Sequence, residues 1–276
     1  MGNVKSSITV LALALSASSS AYADTLTPNG WELDLATTSP QDAKNGAIFY
    51  STQQQPTGTG YIDPFVRIQR MGTEEGYNTD GAIQWDTKDH TGQNWTHSIR
   101  LGDVPIVTIG GVNYREFLLD INEAASGTKR MLSLNEFQIY LSDSNTLTGL
   151  DRTNYTFTNG ALYNTNLYYD LDSVGTDTHG DKVVRMDYTQ ASGSGSGDMF
   201  VYVADSKFTG QSSNRFLYLY SAFGRPDASD SGFEEWATIQ GRAPAVVPLP
   251  AAAWMGVVLL GGIGTLKKWR DQSTGE

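Results

Sequence analysis

Acidic side chains at turn-like spacings are the residues of this chain best suited to chemistry. In the densest run, Asp170, Asp172 and Asp181 occupy positions 1, 3 and 12 of a loop with Gly175 at position 6. Carboxylates around a central glycine form the framework of a calcium-binding loop. Val174 at position 5 and the lack of flanking helical patterns exclude an EF-hand. Two interpretations remain, a calcium site on a loop between strands and a solvated acidic turn.

Glycoside hydrolysis is a second chemistry that carboxylates support, and it needs one protonated acid and one ionised base or nucleophile several ångströms apart. The sequence offers candidates without a local signature that selects a pair: Glu74, Glu75, Glu116, Asp120, Glu123 and Glu136. Asp120 and Asn122 fall on one face of a predicted strand end, with Glu123 opposite. That arrangement suits either a cation site or ordinary turn chemistry.

Signatures of other catalytic classes are missing from the sequence. The three histidines, His90, His97 and His179, have no zinc-motif spacing, and no G-x-S-x-G elbow occurs. The chain has no cysteine, which excludes a thiolate nucleophile and a disulfide framework. We therefore expect structural histidines, a non-enzymatic protein, and no cofactor other than calcium.

Charge and aromatic content narrow the classes of partner. Between Asp24 and Leu266 the chain carries 15 basic and 28 acidic residues, a net charge of −13. Nucleic acid and anionic lipid would be repelled, so we expect neither as a partner. The 14 tyrosines and 6 tryptophans suit either stacking on sugar rings or the interior of a β-protein.

Short strand-like runs separated by turn residues must position these groups. The clearest hairpin joins Val104–Ile109 to Val112–Leu119 through two glycines, which suit a type I′ turn. Phe137, Ile139 and Leu141 alternate with polar residues, the period of a half-buried strand. Such runs without helical stretches between them predict an all-β domain over residues 24–242, an antiparallel β-sandwich or jelly roll.

Three local features refine this prediction. Pro64 within Tyr61–Gln69 predicts an edge strand or a bulged strand. The Gly-Ser run Ser192–Gly197 lies between two strand-like runs, which favours a hairpin loop over an interdomain linker. No convincing amphipathic helix occurs between Asp24 and Ala245, although the pattern of Phe233–Ile239 allows a short one.

The N-terminus has the pattern of a secretory signal. One positive charge in Met1–Lys5 precedes the apolar run Ile8–Leu15, and Ala21 and Ala23 form a small-x-small cleavage site. We therefore expect residues 1–23 to be a signal peptide that is removed.

The C-terminus has the pattern of a marginal membrane span. The uncharged residues 251–266 reach about 24 Å as a helix, short of the roughly 30 Å hydrocarbon core. A basic cluster follows, formed by Lys267, Lys268 and Arg270, and the positive-inside rule places residues 271–276 in the cytoplasm. Residues 243–246 form a tether, and the span is preceded by the motif Val247, Pro248, Leu249, Pro250 and Ala251.

The order of motif, span and basic stop over residues 247–270 resembles the PEP-CTERM sorting signal of Gram-negative bacteria, in its Val-Pro-Leu-Pro-Ala variant. Leu249 departs from the commoner form, which has Glu at that position. The resemblance implies an exosortase substrate, with Val247 to Ala251 as the recognition and processing motif and exopolysaccharide as the usual association.

Together these features predict an exported protein that crosses the inner membrane, resides there transiently, and reaches the cell surface or extracellular matrix. The expected role is structural or polysaccharide-associated and non-enzymatic. A glycan-active enzyme with paired carboxylates on a β-sandwich is the alternative, and it requires two carboxylates facing each other in a cleft. A permanently anchored membrane protein is a third possibility.

Overall fold

The computed structural model describes residues 33–37, 41–43, 45–51, 62–88, 95–172, 182–190, 197–230 and 232–239. Within them lie 18 strands, short 3-10 helices and no α-helix. The strands are β1 (Leu33–Asp34), β2 (Gln41–Ala43), β3 (Ala47–Ser51), β4 (Ile62–Ile68), β5 (Met71–Gly72), β6 (Glu74–Tyr77), β7 (Ile99–Arg100), β8 (Ile106–Ile109), β9 (Val112–Asp120), β10 (Met131–Ser142), β11 (Leu150–Asp151), β12 (Thr156–Phe157), β13 (Asn166–Asp170), β14 (Val184–Asp187), β15 (Met199–Ala204), β16 (Phe216–Phe223), β17 (Ser229–Asp230) and β18 (Glu234–Ile239). Within these ranges no helix is long and apolar enough to span a bilayer. The predicted signal peptide, tether, sorting motif and span lie outside the described residues.

The strands form two seven-stranded sheets and two small ribbons. Sheet A has the order β1-β14-β10-β16-β6, with β13 also pairing with β10 and β7 with β16. Sheet B has the order β2-β3-β15-β9-β18-β4, with β8 pairing with β9. In the described part of the chain only β1 and β14 run parallel. The predicted all-β, mainly antiparallel fold is confirmed.

Phe137 on β10 lies at the centre of the core that the two sheets share. Its ring is 6.2 Å from Phe49 and 6.0 Å from Phe117, both on sheet B. Tyr169 on β13 approaches to 5.6 Å, and Trp236 on β18 to 4.9 Å. Edge-to-face and tilted aromatic contacts of this kind stabilise beyond the area they bury. The predicted inward face of β10 is thus the one that packs on sheet B.

The glycine hairpin and the proline strand form as expected. Gly110 and Gly111, between β8 and β9, both have positive φ, 59° and 84°, which a type I′ turn requires. Strand β4, which contains Pro64, ends the order of sheet B, and its register with β18 shifts between Trp236 and Ala237. Both predictions are confirmed.

The interpretation of residues 233–239 as a short helix, which the pattern allowed, is wrong, because this stretch contains β18. Trp236 enters the shared core, while Ile239 on the same strand joins a separate cluster with Val107 and Leu118. Apolar side chains of this strand point to both faces of the sheet, and the residue types Trp, Thr and Ile favour β-strands. An amphipathic helix would have one apolar side.

The hairpin expected around the Gly-Ser run is also wrong. Strand β14 before it belongs to sheet A, and β15 after it belongs to sheet B. The run therefore connects the two sheets, and residues 192–196 themselves lie outside the described residues. Gly197 at its end packs so closely that an added Cβ would lie 2.1 Å from Leu118 Cδ1.

The face of sheet A that points away from sheet B is here called the outer face. Other residues of the chain cover it, whereas the sequence predicts an exposed surface. Gln138 and Tyr140 on β10 are buried although they alternate with the core residues. Leu147, Leu150 and Phe157, which follow β10 in the chain, pack on the sheet tyrosines of this face. Tyr169, Tyr202 and Tyr218 are also buried, so packing in the interior accounts for these three tyrosines.

Candidate functional site

Two carboxylates share one row across the outer face of sheet A. Glu136 on β10 lies directly opposite Ala222 on β16, and Ala222 lies directly opposite Glu75 on β6. Residues paired in this way point to the same face, so both carboxylates project from the outer face about two strand spacings, roughly 9.6 Å, apart at Cα. The methyl group of Ala222 leaves the space between them open.

A pocket of about 610 Å³ opens over this row. Its walls combine carboxylates, guanidinium groups, an amide and a phenol, chiefly from Glu74, Glu75, Glu136, Gln138, Arg152 and Tyr220. A volume of this size suits a small organic ligand or one or two sugar rings, and convergent polar groups of this kind fix a ligand's orientation.

Glu75 accepts hydrogen bonds from two donors. Its Oε2 accepts hydrogen bonds from Arg152 Nη1 at 2.6 Å and from Tyr220 Oη at 2.7 Å. Burial raises the pKa of Tyr220, and the Glu75 charge raises it further, so the phenol remains a donor. Arg152 also lies over the ring of Trp85, 5.5 Å from its centroid. Both bonds to Glu75 end on Oε2, so Oε1 is the oxygen available to a ligand.

Glu136 has a contrasting environment. Its side chain is buried, and Oε2 accepts a hydrogen bond from Gln138 Nε2 at 3.3 Å. Burial raises the pKa of Glu136 to about 8, and the charges of Asp172 and Asp170 contribute to the rise. The two carboxyls of the row therefore differ, since Glu75 is paired with Arg152 and burial favours the neutral form of Glu136.

Two of the predicted calcium ligands, Asp170 and Asp172, lie together, and the third member of their cluster is Glu136. One carboxylate oxygen from each lies within 4.8 Å of the others. Within the turn, Asp172 N donates to Asp170 Oδ1 at 3.0 Å and Lys182 N to Asp172 Oδ1 at 2.9 Å. Asp181 lies outside the described residues. Calcium and a tight acidic turn both remain compatible with this arrangement.

The other predicted candidates lie elsewhere. Glu116, Asp120 and Glu123 are buried away from the pocket wall. Asn122 Nδ2 donates to the Phe233 carbonyl at 3.1 Å, a structural contact. His97 donates from Nδ1 to the Ser98 carbonyl at 3.0 Å, as expected of a structural histidine. His90 and His179 lie outside the described residues.

The sequence did not single out Arg152, Gln138 or Ala222. These residues come together only because β6, β16 and β10 pair in this register and the segment after β10 folds back over the sheet. The one signal in the sequence was the alternation along β10, which placed Glu136 and Gln138 on the same face.

Comparison with known proteins gives no assignment for this site. The chain matches no protein-family model, no curated protein and no solved structure.

Proposed function

We propose that this chain is an exported, polysaccharide-associated protein of the cell surface or extracellular matrix, built as a jelly-roll-like β-sandwich, and that it binds a saccharide in the pocket of sheet A. The pocket over the Glu75–Ala222–Glu136 row is the observation that carries this proposal. Sugar hydroxyls are donors and acceptors at once, so they suit a lining that mixes carboxylates with Arg152 and Gln138.

Export is supported by the two ends of the sequence. The predicted signal peptide sends the chain through the inner membrane, and the sorting motif at residues 247–251 presents it there to an exosortase. The marginal length of residues 251–266 fits a span that is needed only until processing.

Mass spectrometry of the mature protein tests this route. From cells that contain an exosortase we expect a chain that ends near Pro250, and from cells lacking it a chain that retains Lys267 and Arg270. An intact tail in both strains would instead identify a permanently anchored protein.

Saccharide binding is tested by closing the pocket. Ala222→Trp places an indole between the two carboxylates, and we expect it to weaken binding of the host's extracellular polysaccharide at least about tenfold in calorimetry. Ala125→Trp, at an exposed position, is the matched control. Equal binding by both variants would show that the saccharide does not use this pocket.

Glycoside hydrolysis is the second candidate, and the carboxylate row favours it. The two side chains extend over the same pocket from Cα atoms two strand spacings apart, so a substrate in the pocket lies between two carboxyls, as glycoside hydrolysis requires. In that reaction Glu136 would protonate the leaving oxygen as the glycosidic C–O bond breaks, and Glu75 would take a proton from the water that adds to the anomeric carbon.

An assay for reducing ends tests glycoside hydrolysis. Release of reducing ends by the wild-type protein, abolished in Glu75→Gln and in Glu136→Gln, would establish this activity. Binding without release would leave the first function in place.

A further inference from the structure

A line of three buried glutamates connects the wall of the pocket to the junction of the two sheets. Glu74 on β6 of sheet A lines the pocket, and Glu234 begins β18 of sheet B. The Glu234 carboxyl lies beside those of both Glu74 and Glu123, which follows β9, and interacts electrostatically with both. We call this set the carboxyl chain.

All three members of the carboxyl chain are withdrawn from solvent. Glu234 is 0% exposed, Glu74 2% and Glu123 5%. Within the described residues, no N–H or hydroxyl donor reaches either side-chain oxygen of Glu234, or Oε1 of Glu74 and Glu123. Buried oxygens left in this state are costly unless a proton or a cation satisfies them.

Close packing holds the carboxyl chain together. Gly232, two residues before Glu234, lies so near Asn122 that an added Cβ would be 1.4 Å from the Asn122 carbonyl oxygen. The segment entering β18 is thereby pressed against the turn that carries Glu123. Asp230 N donates to Glu123 Oε2 at 2.9 Å and fixes the other side of that turn.

Neighbouring charges do not neutralise the carboxyl chain. Asp86 and Asp230 face it and are themselves acidic. Arg70 contacts Glu74 only through its backbone N–H, at 2.6 Å, while its exposed guanidinium lies 3.7 Å from Asp86. In the described part of the chain, no basic side chain forms an ion pair with Glu74, Glu123 or Glu234.

Protons are the partners that this geometry accommodates. A hydrogen bond between two carboxyls needs a proton on one of them, and two fully ionised neighbours repel. The three carboxyls lack the mutual approach within 4.8 Å that Glu136, Asp170 and Asp172 show, so a single ion held by all three is disfavoured. Burial accordingly raises the pKa of Glu123 to about 8, and those of Glu74 and Glu234 are also raised by burial.

We propose that the carboxyl chain is a proton-linked latch that holds the pocket wall of sheet A against sheet B, so that saccharide binding is tight when the chain is protonated and weak when it is ionised. This role rests on the proposed saccharide-binding function, which protonation of the carboxyl chain would regulate. Ionisation would separate Glu74 from Glu234 and displace β6, which also carries Glu75.

The test compares wild-type protein with Glu234→Gln, because Glu234 lies outside the pocket lining and the amide can donate to both neighbours without titrating. Between about pH 5.5 and about pH 8.5 we expect the wild-type affinity for the host polysaccharide to fall about tenfold or more, and that of the variant less than about threefold. The wild-type melting temperature should fall over the same range, and that of the variant should change less. Asp63→Asn, on the exposed side of β4, controls for the loss of one charge.

Measuring both the melting temperature and polysaccharide binding distinguishes failure of the latch from failure of the binding function. A pH-dependent melting temperature that Glu234→Gln flattens, with no polysaccharide binding at any pH, would support the carboxyl chain and refute the binding function. Binding whose pH profile is the same in both proteins would overturn the latch. A melting temperature at about pH 8.5 that rises with added Ca²⁺ only in wild-type protein would also overturn it, in favour of a cation. Glu123→Gln gives the same comparison if Glu234→Gln does not fold.

Discussion

Trp236 on sheet B donates its indole N–H to Ser221 Oγ on sheet A, at 2.9 Å. Both residues are fully buried, and the indole also packs on Phe137 at the centre of the core. A polar bond between two sheets in an apolar interior fixes how they face each other, because a buried donor without its acceptor is costly. The sheet that carries the pocket is thus positioned by a residue of the other sheet.

Ser221→Ala should lower stability, because it leaves the Trp236 N–H buried without its acceptor. We expect a loss of about 1–3 kcal/mol in the free energy of unfolding, or about 3–9 °C in melting temperature. Urea denaturation measures the change. Ser213→Ala, at an exposed position, should stay within about 0.5 kcal/mol of wild type. If both variants were equally stable, the inter-sheet bond would contribute nothing.

Arg215→Met should be more damaging, because this arginine is buried and joins several segments. Its guanidinium donates to the carbonyls of Leu141 and Asn164, and to Tyr168 Oη at 3.0 Å. Removing the guanidinium leaves these acceptors without their donor, which should lower the free energy of unfolding by about 3 kcal/mol.

Arg130→Met is the control for Arg215. Arg130 is 41% exposed and lies 3.4 Å from Asp187. Asp187 is buried but also accepts hydrogen bonds from Thr189 N and Oγ1, so losing the half-exposed Arg130 should cost at most about 1 kcal/mol. Denaturation curves that place Arg215→Met no lower than Arg130→Met would contradict the assigned role.

Local signals explain which parts of the fold the sequence predicts. The two glycines of the β8–β9 hairpin and the alternation along β10 act over a few residues, so they are readable without tertiary information. The burial of Tyr140 depends on Phe157, which a separate part of the chain supplies. For the same reason the sheet membership of β14 and β15 could not be read from the glycine run between them.

The residues of the candidate site also fall into two groups, those that local spacing brings together and those that only long-range strand pairing brings together. Asp170 and Asp172 are two residues apart, so loop spacing alone predicts that they meet. Glu136 joins them, and Glu75 approaches Glu136, only through the pairing of β10 with β13 on one side and β16 on the other. Long-range register of this kind has no short-range signature in a single sequence.

Asp198 should make stability depend on pH. It is buried, its Oδ2 accepts from Ile121 N at 2.9 Å, and burial raises its pKa to about 9, with Asp120 and Asp187 contributing. A raised folded-state pKa gives stability that is full below the unfolded value of 3.8 and is lost as the pH rises through about 9.

Asp198→Asn stays neutral at every pH and keeps an acceptor for Ile121 N. At about pH 8.5 we expect its melting temperature to exceed that of wild type by on the order of 5 °C, and the difference to shrink towards about pH 5. Asp63→Asn serves as the exposed control. A constant difference across this range would show that Asp198 does not titrate as its burial indicates.

Calcium binding at Glu136, Asp170 and Asp172 is the remaining prediction. Ligand oxygens on one Ca²⁺ lie about 2.3–2.6 Å from the ion and hence at most about 5 Å apart, and these three carboxylates meet that limit. Ca²⁺ at about 100 times its dissociation constant should add about 2.7 kcal/mol to the unfolding free energy. Asp172→Asn should remove most of this gain, whereas Asp63→Asn should retain it. A melting curve that neither Ca²⁺ nor a chelator shifts would leave Asp170 and Asp172 as turn residues that accept the backbone N–H groups of Asp172 and Lys182.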